Sequence, residues 1–124
     1  RNLATGKETS VAEPDKVFVV WSSGDPEVAR KLVFMYTRNA KIKGWWDRVR
    51  LVVWGPSAKL LAENEELQDE IIGVGKEGVE LLACKRCADD FGVTEKLEDL
   101  GIEVIYMGVP MTEMLKDGWV QLTF

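Results

Sequence analysis

The chain has 124 residues, 46% of them hydrophobic and 30% charged, a balance that suits one compact domain around one core and leaves no room for a second. Its 16 Lys and Arg stand against 21 Asp and Glu, and the cations are scattered rather than striped, so no footing is offered to nucleic acid or to anionic lipid. The longest apolar runs, VFVVW and LVVWG, fall far short of the roughly 20 residues of a membrane-spanning helix, and no membrane association is expected.

Residues 1–14, RNLATGKETSVAEP, read as a loose tail, and a single domain is expected over 15–124. The first residue is Arg1 rather than Met, which leaves open the removal of an upstream leader. Val17 to Trp21 is an apolar run of strand length. Asp25 and Pro26 then supply a helix cap and first turn. Val28, Ala29, Leu32, Val33, Tyr36 and Ala40 mark one helical face, closed at Gly44. Val49 to Trp54 repeats the strand pattern. Ser57 is placed to cap a second helix with the stripe Leu60, Leu61, Leu67, Ile71 and Val74, punctuated by Gly73, Gly75 and Gly78. Val79 to Ala83 and Ile102 to Met107 are two further strands, with short helical stretches between them broken at Gly92 and closed at Gly101. Thr112 to Asp117 makes one or two helical turns, and Trp119 to Phe124 a last strand. Trp45 and Trp46, just past the first helix, are expected to divide, one buried and one at an interface.

Strands apolar on both faces and separated by amphipathic helices predict an α/β fold, a three-layer α/β/α sandwich around a mainly parallel five-stranded sheet. Right-handed crossovers gather the strand-to-helix turns at one edge, where ligands of such sheets bind. Four turns end there: WSSGDP, WGPS, ACKRC and YMGVP. Their candidate binding residues are Ser22, Ser23, Gly24, Gly55, Ser57, Lys85, Arg86 and Gly108. Taken singly, each turn is an ordinary cap; the edge they share with the cysteines makes them candidates.

Cys84 and Cys87 are the only two cysteines in the chain. With the third strand ending at Ala83, Cys84 opens the next helix and Cys87 follows one turn along the same face. Free amides at the helix start, with Lys85 and Arg86 beside them, would favour a thiolate at Cys84 and make it the nucleophile. Cys87, three residues before Asp90, is expected to be less acidic and more shielded, as suits a resolving thiol. Simple burial as small apolar residues is the alternative fate of such a pair. There is no histidine in the chain, so no Cys-His dyad forms and one subunit lacks a conventional zinc set. No metal and no cofactor are expected. A single spaced pair is a poor disulfide scaffold and points to a reducing compartment, the cytoplasm.

The stretches LVVWGPSAKLL, GVELLACKRCADDFGV and LGIEVIYMGVPMTEMLKDGW, within residues 49–122, resemble the DsrE/DsrF-like family of small α/β proteins. Sulfur-relay members of that family have a strand-end cysteine followed eight residues later by Gly-Val, matched here by Cys84 with Gly92 and Val93. The resemblance implies that Cys84 holds a persulfide, that sulfur donor and acceptor proteins are partners, and that the chain forms a homo-oligomer, a trimer or hexamer. Cys87 lies outside the relay pattern. Two readings stand: a sulfur-relay or thiol-redox protein, acting as sulfur carrier or sulfurtransferase, and a non-catalytic oligomeric module that binds a small ligand or partner at the same edge.

Overall fold

The computed structural model describes residues 15–124, and the expected tail lies outside them. Five strands, β1 (Lys16–Trp21), β2 (Arg48–Val53), β3 (Glu80–Cys84), β4 (Glu103–Ile105) and β5 (Val120–Thr123), form one sheet in the order β4-β3-β2-β1-β5. Every neighbouring pair is parallel, so the sheet is wholly parallel. Among the described residues no helix is long and apolar enough to cross a membrane.

Helix α1 runs through Pro26–Val28, Ala29–Phe34 and Met35–Ile42 without a break. Asp25 caps it by accepting the Glu27 amide at 2.9 Å, and Pro26 occupies its first turn, as the sequence predicts. Its middle segment is π-helical, and Ala29, Val33 and Phe34 at i, i+4 and i+5 all reach the core from this wider turn. Two helices follow β2, where the apolar stripe predicts one: α2 (Pro56–Glu63) and α3 (Glu65–Lys76). They separate at Asn64, which is extended and accepts the Leu67 amide at 3.0 Å as the cap of α3. Gly73 and Gly75 lie inside α3; only Gly78, with φ of 106°, follows it. Then come α4 (Lys85–Phe91), α5 (Thr94–Asp99) and α6 (Gly108–Lys116).

The steps from β1 through β4 all move the same way across the sheet. Right-handed crossovers therefore stack α1 to α5 on one face. That face holds the larger core: Val17, Val19, Trp21, Val49, Leu51 and Val53 from the strands meet Val33, Leu61, Leu67, Ile71, Ala88 and Leu97 from the helices. The return from β4 to β5 carries α6 over the opposite face. There Phe18, Val20, Val52, Leu82 and Cys84 pack under Met107, Met111, Met114 and Trp119. The sandwich thus has three layers, the third being a single helix.

Candidate functional site

Strand β3 delivers Cys84 to the carboxyl edge of the sheet, paired in register with Ile105 of β4. The chain leaves β3 toward the five-helix face and leaves β4 toward the α6 face, so a crevice opens between these neighbouring strands. Cys84 is the cap residue of α4, with φ of −71° and ψ of 115°, and its Sγ accepts the Cys87 amide at 3.4 Å. Its side chain points to the α6 face and is 6% exposed.

Cys87 is half-buried against the same apolar cluster, and both cysteines are free. It is therefore the less shielded thiol, opposite to the expectation from sequence, because Cys84 ends an interior strand under α6 whereas Cys87 lies one turn out. Burial pushes the Cys87 thiol up from its usual value. Hydrogen bonding to Cys84 and the charges of Cys84 and Asp90 act in the same direction. The Gly55 backbone amide works against them by favouring the Cys87 thiolate. Gly55 adopts φ of 78° and ψ of −142°, a conformation essentially reserved for glycine, and this turns the chain sharply between β2 and α2.

Lys85 and Arg86 flank the pair but do not stand as free cations. Lys85 pairs with Asp89 and Arg86 with Asp90, each at 3.2 Å and one helical turn away. What reaches the thiols is the field of two ion pairs, weaker than that of two bare charges. Lys85 Nζ also lies 5.7 Å from the centre of the exposed Tyr106 ring. Gly108 opens α6 directly after Met107, a member of the Cys84 cluster.

The first turn is already engaged by the chain itself. The Ser22 and Ser23 amides donate to the Phe124 backbone oxygen at 2.7 and 3.3 Å, and Ser22 Oγ joins them at 3.0 Å. Ser23 Oγ accepts the Asp25 amide at 3.0 Å. These donors tie β1 to the end of β5. Gly24 lies beside Pro56 of the neighbouring turn. Ser57 does not cap α2, whose cap position is Gly55. It is fully buried inside the helix, where its hydroxyl donates to the Trp21 carbonyl and accepts the Trp54 amide at 3.2 Å, clamping the ends of β1 and β2. The structure thus brings Cys84, Cys87, Gly55 and Lys85 together, with Gly108 next to Met107, and gives Ser22, Ser23 and Ser57 to the sheet.

Two features escape the reading from sequence. Met107 and Met111 join Cys84 in one cluster, for which the signal is a methionine just past the strand next to the cysteine strand and another four residues on. At the opposite edge a groove of about 630 Å³ runs between α6 and the bare part of the sheet, lined by Arg48, Arg50, Glu103, Met114 and Trp119 among others. Arg48 and Arg50 lie 5.1 and 4.5 Å from the Trp119 ring centre, and both bind the Glu80 carboxylate. The alternation Arg48, Val49, Arg50, Leu51 is its trace in the sequence. Trp46 is half-buried and donates Nε1 to Tyr36 Oη at 2.9 Å, while Trp45 is exposed.

Among curated proteins none matches the chain. Among solved structures, a conserved protein of unknown function from Bacteroides thetaiotaomicron superposes with a TM-score of 0.86 at 36% identity, over 89% of this chain and 95% of that one. Two more distant structures share the fold. A protein of unknown function from Methanobacterium thermoautotrophicum has a TM-score of 0.69 at 20% identity, over 90% of this chain and 100% of that one. The ychN protein of E. coli has a TM-score of 0.64 at 18% identity, over 88% and 99%. The model of the DsrE/DsrF-like family matches residues 15–124, the whole of the described domain, and the chain belongs to that family.

Proposed function

We propose that this protein carries sulfane sulfur as a persulfide on Cys84 and releases it with the help of Cys87. The observation that carries this reading is the meeting of two free thiols at the crevice between β3 and β4, with Cys84 Sγ held by the Cys87 amide. Family membership supports the same chemistry. In loading, the Cys84 thiolate attacks the outer sulfur of a donor persulfide; a new S–S bond forms at Cys84 while the donor's breaks, and the donor departs as a thiolate. In release, the Cys87 thiolate attacks Cys84 Sγ, closing a Cys84–Cys87 disulfide and expelling hydrosulfide. A dithiol reductant then supplies two electrons and two protons to restore both thiols.

Such a cycle needs a reducing compartment, and the cytoplasm is the setting in this reading. The donor is a persulfide-bearing thiol protein, and a thiol protein can also serve as acceptor by attacking the outer sulfur of the Cys84 persulfide, with Cys84 leaving as the thiolate. Self-association as a trimer or hexamer is part of the proposal. It is supported by the exposed Leu32, Met35 and Trp45 around one apolar hollow and by the single-helix cover of the second sheet face. Light scattering should return a multiple of 14.0 kDa.

The deciding measurement is intact mass after incubation with a sulfane-sulfur donor, before and after reductant. Wild type should gain sulfur only transiently and then settle at the mass of the Cys84–Cys87 disulfide, two hydrogens below the reduced chain, and reductant should reverse both changes. Cys84→Ser should gain none, and Cys87→Ser should load but release slowly. A wild-type mass that does not change would leave the thiols without this role.

A further inference from the structure

The apolar cluster that holds Cys84 contains sulfur-bearing side chains from three elements. Cys84 ends β3, Cys87 lies one turn into α4, and Met107 and Met111 sit one turn apart at the start of α6. Cys84, Met107 and Met111 are 6%, 2% and 8% exposed and belong to one apolar cluster, with the half-buried Cys87 packed against it. Helix α6 runs back over the sheet, so its first turns lie level with the carboxyl edge. Met114, further along, lines the groove near Leu82 and Trp119. The donor set has a definite chemical character. It offers two thiols and two thioethers. Among the described residues no three His, Cys, Asp or Glu side chains group as a metal site, so the two thiols lack the further nitrogen, oxygen or thiolate ligands of a closed zinc site. Thiolate and thioether together favour a soft ion, and the apolar surroundings would keep water and oxygen from it.

We infer that Cys84, Cys87, Met107 and Met111 form a binding site for a single copper(I) ion. Binding is proton exchange without redox change: the two thiols release two protons, the metal stays in the +1 state, and the thioethers add neutral donors. The half-buried Cys87 is the side from which the ion arrives, with Cys84 and the methionines behind it. The inference uses the same thiols as the sulfur-carrier reading but does not depend on sulfur transfer.

The test is an anaerobic titration of the reduced full chain with copper(I) in the presence of bathocuproine disulfonate as competing chromophore. Wild type should withdraw one copper(I) per chain from the chelator, and an equal concentration of zinc(II) should not displace it. Cys84→Ser and Cys87→Ser should each lose the competition. Met107→Leu and Met111→Leu, which preserve apolar volume, should each weaken binding by at least about tenfold, since losing a direct donor costs no less than losing a group that orients one. Met114→Leu, two turns past Met107 along α6 and lining the groove at the opposite edge, should bind as wild type. X-ray absorption on selenomethionine-substituted protein should show selenium in the copper shell. Failure of wild type to compete, or methionine variants that bind as tightly as wild type with no selenium scattering, would overturn the site. Sulfur loading is scored in parallel on the same proteins. Wild type that loads sulfur but holds no copper overturns this inference alone, whereas copper binding without sulfur loading overturns only the carrier reading.

Discussion

Ser57 shows how much of the site rests on one small side chain. Its hydroxyl bridges the Trp21 carbonyl and the Trp54 amide, and these two groups also bond each other at 3.0 Å. Replacing Ser57 with Ala therefore orphans neither group, and the cost should sit at the modest end, about 1 kcal/mol by urea unfolding. A second effect is functional. The clamp fixes the turn whose Gly55 amide favours the Cys87 thiolate, so loosening it should move the pH midpoint of Cys87 alkylation upward, as read by site-resolved peptide mass spectrometry. A midpoint that stays put, or falls, would show that Gly55 keeps its place without Ser57. From sequence a serine two residues past a glycine and next to a proline reads as a cap. Only the parallel pairing of β1 with β2 reveals that its hydroxyl faces a carbonyl 36 residues away.

At the scale of elements, the strands were legible because each is a short apolar run bounded by glycine, proline or charge, and all five fall within a residue or two of their expected places. Helix α1 was legible for its start, where Asp25 and Pro26 signal locally. Its π-helical middle was not, since which of Ala29, Val33 and Phe34 reach the core depends on what they pack against. The division of α2 from α3 had a visible trace. Leu61 and Leu67 are six apart, outside the three-and-four rhythm of one helix, and Asn64 followed by two glutamates is a start signal. Asn64→Ala should lower stability by about 1 kcal/mol through loss of the Leu67 bond. In a chain of this length that amounts to a fall of roughly 3–6 °C in the thermal midpoint. An unchanged midpoint would mean that packing of Leu61 and Leu67, not the cap, holds the bend.

For the molecule as a whole, the unequal faces of the sheet were the part least open to reading, because β1 is apolar on both sides while β2 turns arginines outward at its start. Those arginines define the acid response. Burial alone would raise the Glu80 carboxyl, but hydrogen bonds and charge from Arg48 and Arg50 outweigh it and hold it below the usual range. A carboxyl depressed in the folded state contributes its full stabilisation above the unfolded value, about 4.3, and loses it as pH falls through the folded value. All three side chains are partly solvated, so the network is expected to contribute only about 1 kcal/mol. Glu80→Gln should therefore be less stable than wild type at pH 7, and the two should converge on acidification below about pH 4. Parallel denaturation series across pH would show this, and a gap that persists into acid would assign the loss to packing instead.

The placement of β5 also bears on how the chain is made. Its partner is β1, the first of the described strands, and Val17 meets Val120 only after the other described elements have been synthesised. While the nascent chain grows, β1 has one neighbour and presents the edge of KVFVVW, a run suited to pairing with another copy. Helix α6, the cover of the second face, emerges equally late. The two elements that close the sheet thus arrive together, and until they do the most apolar strand is the least protected. Pauses in translation before residue 108 would prolong that interval, and slow non-local closure of this kind is where a small parallel fold is most exposed to aggregation on the ribosome.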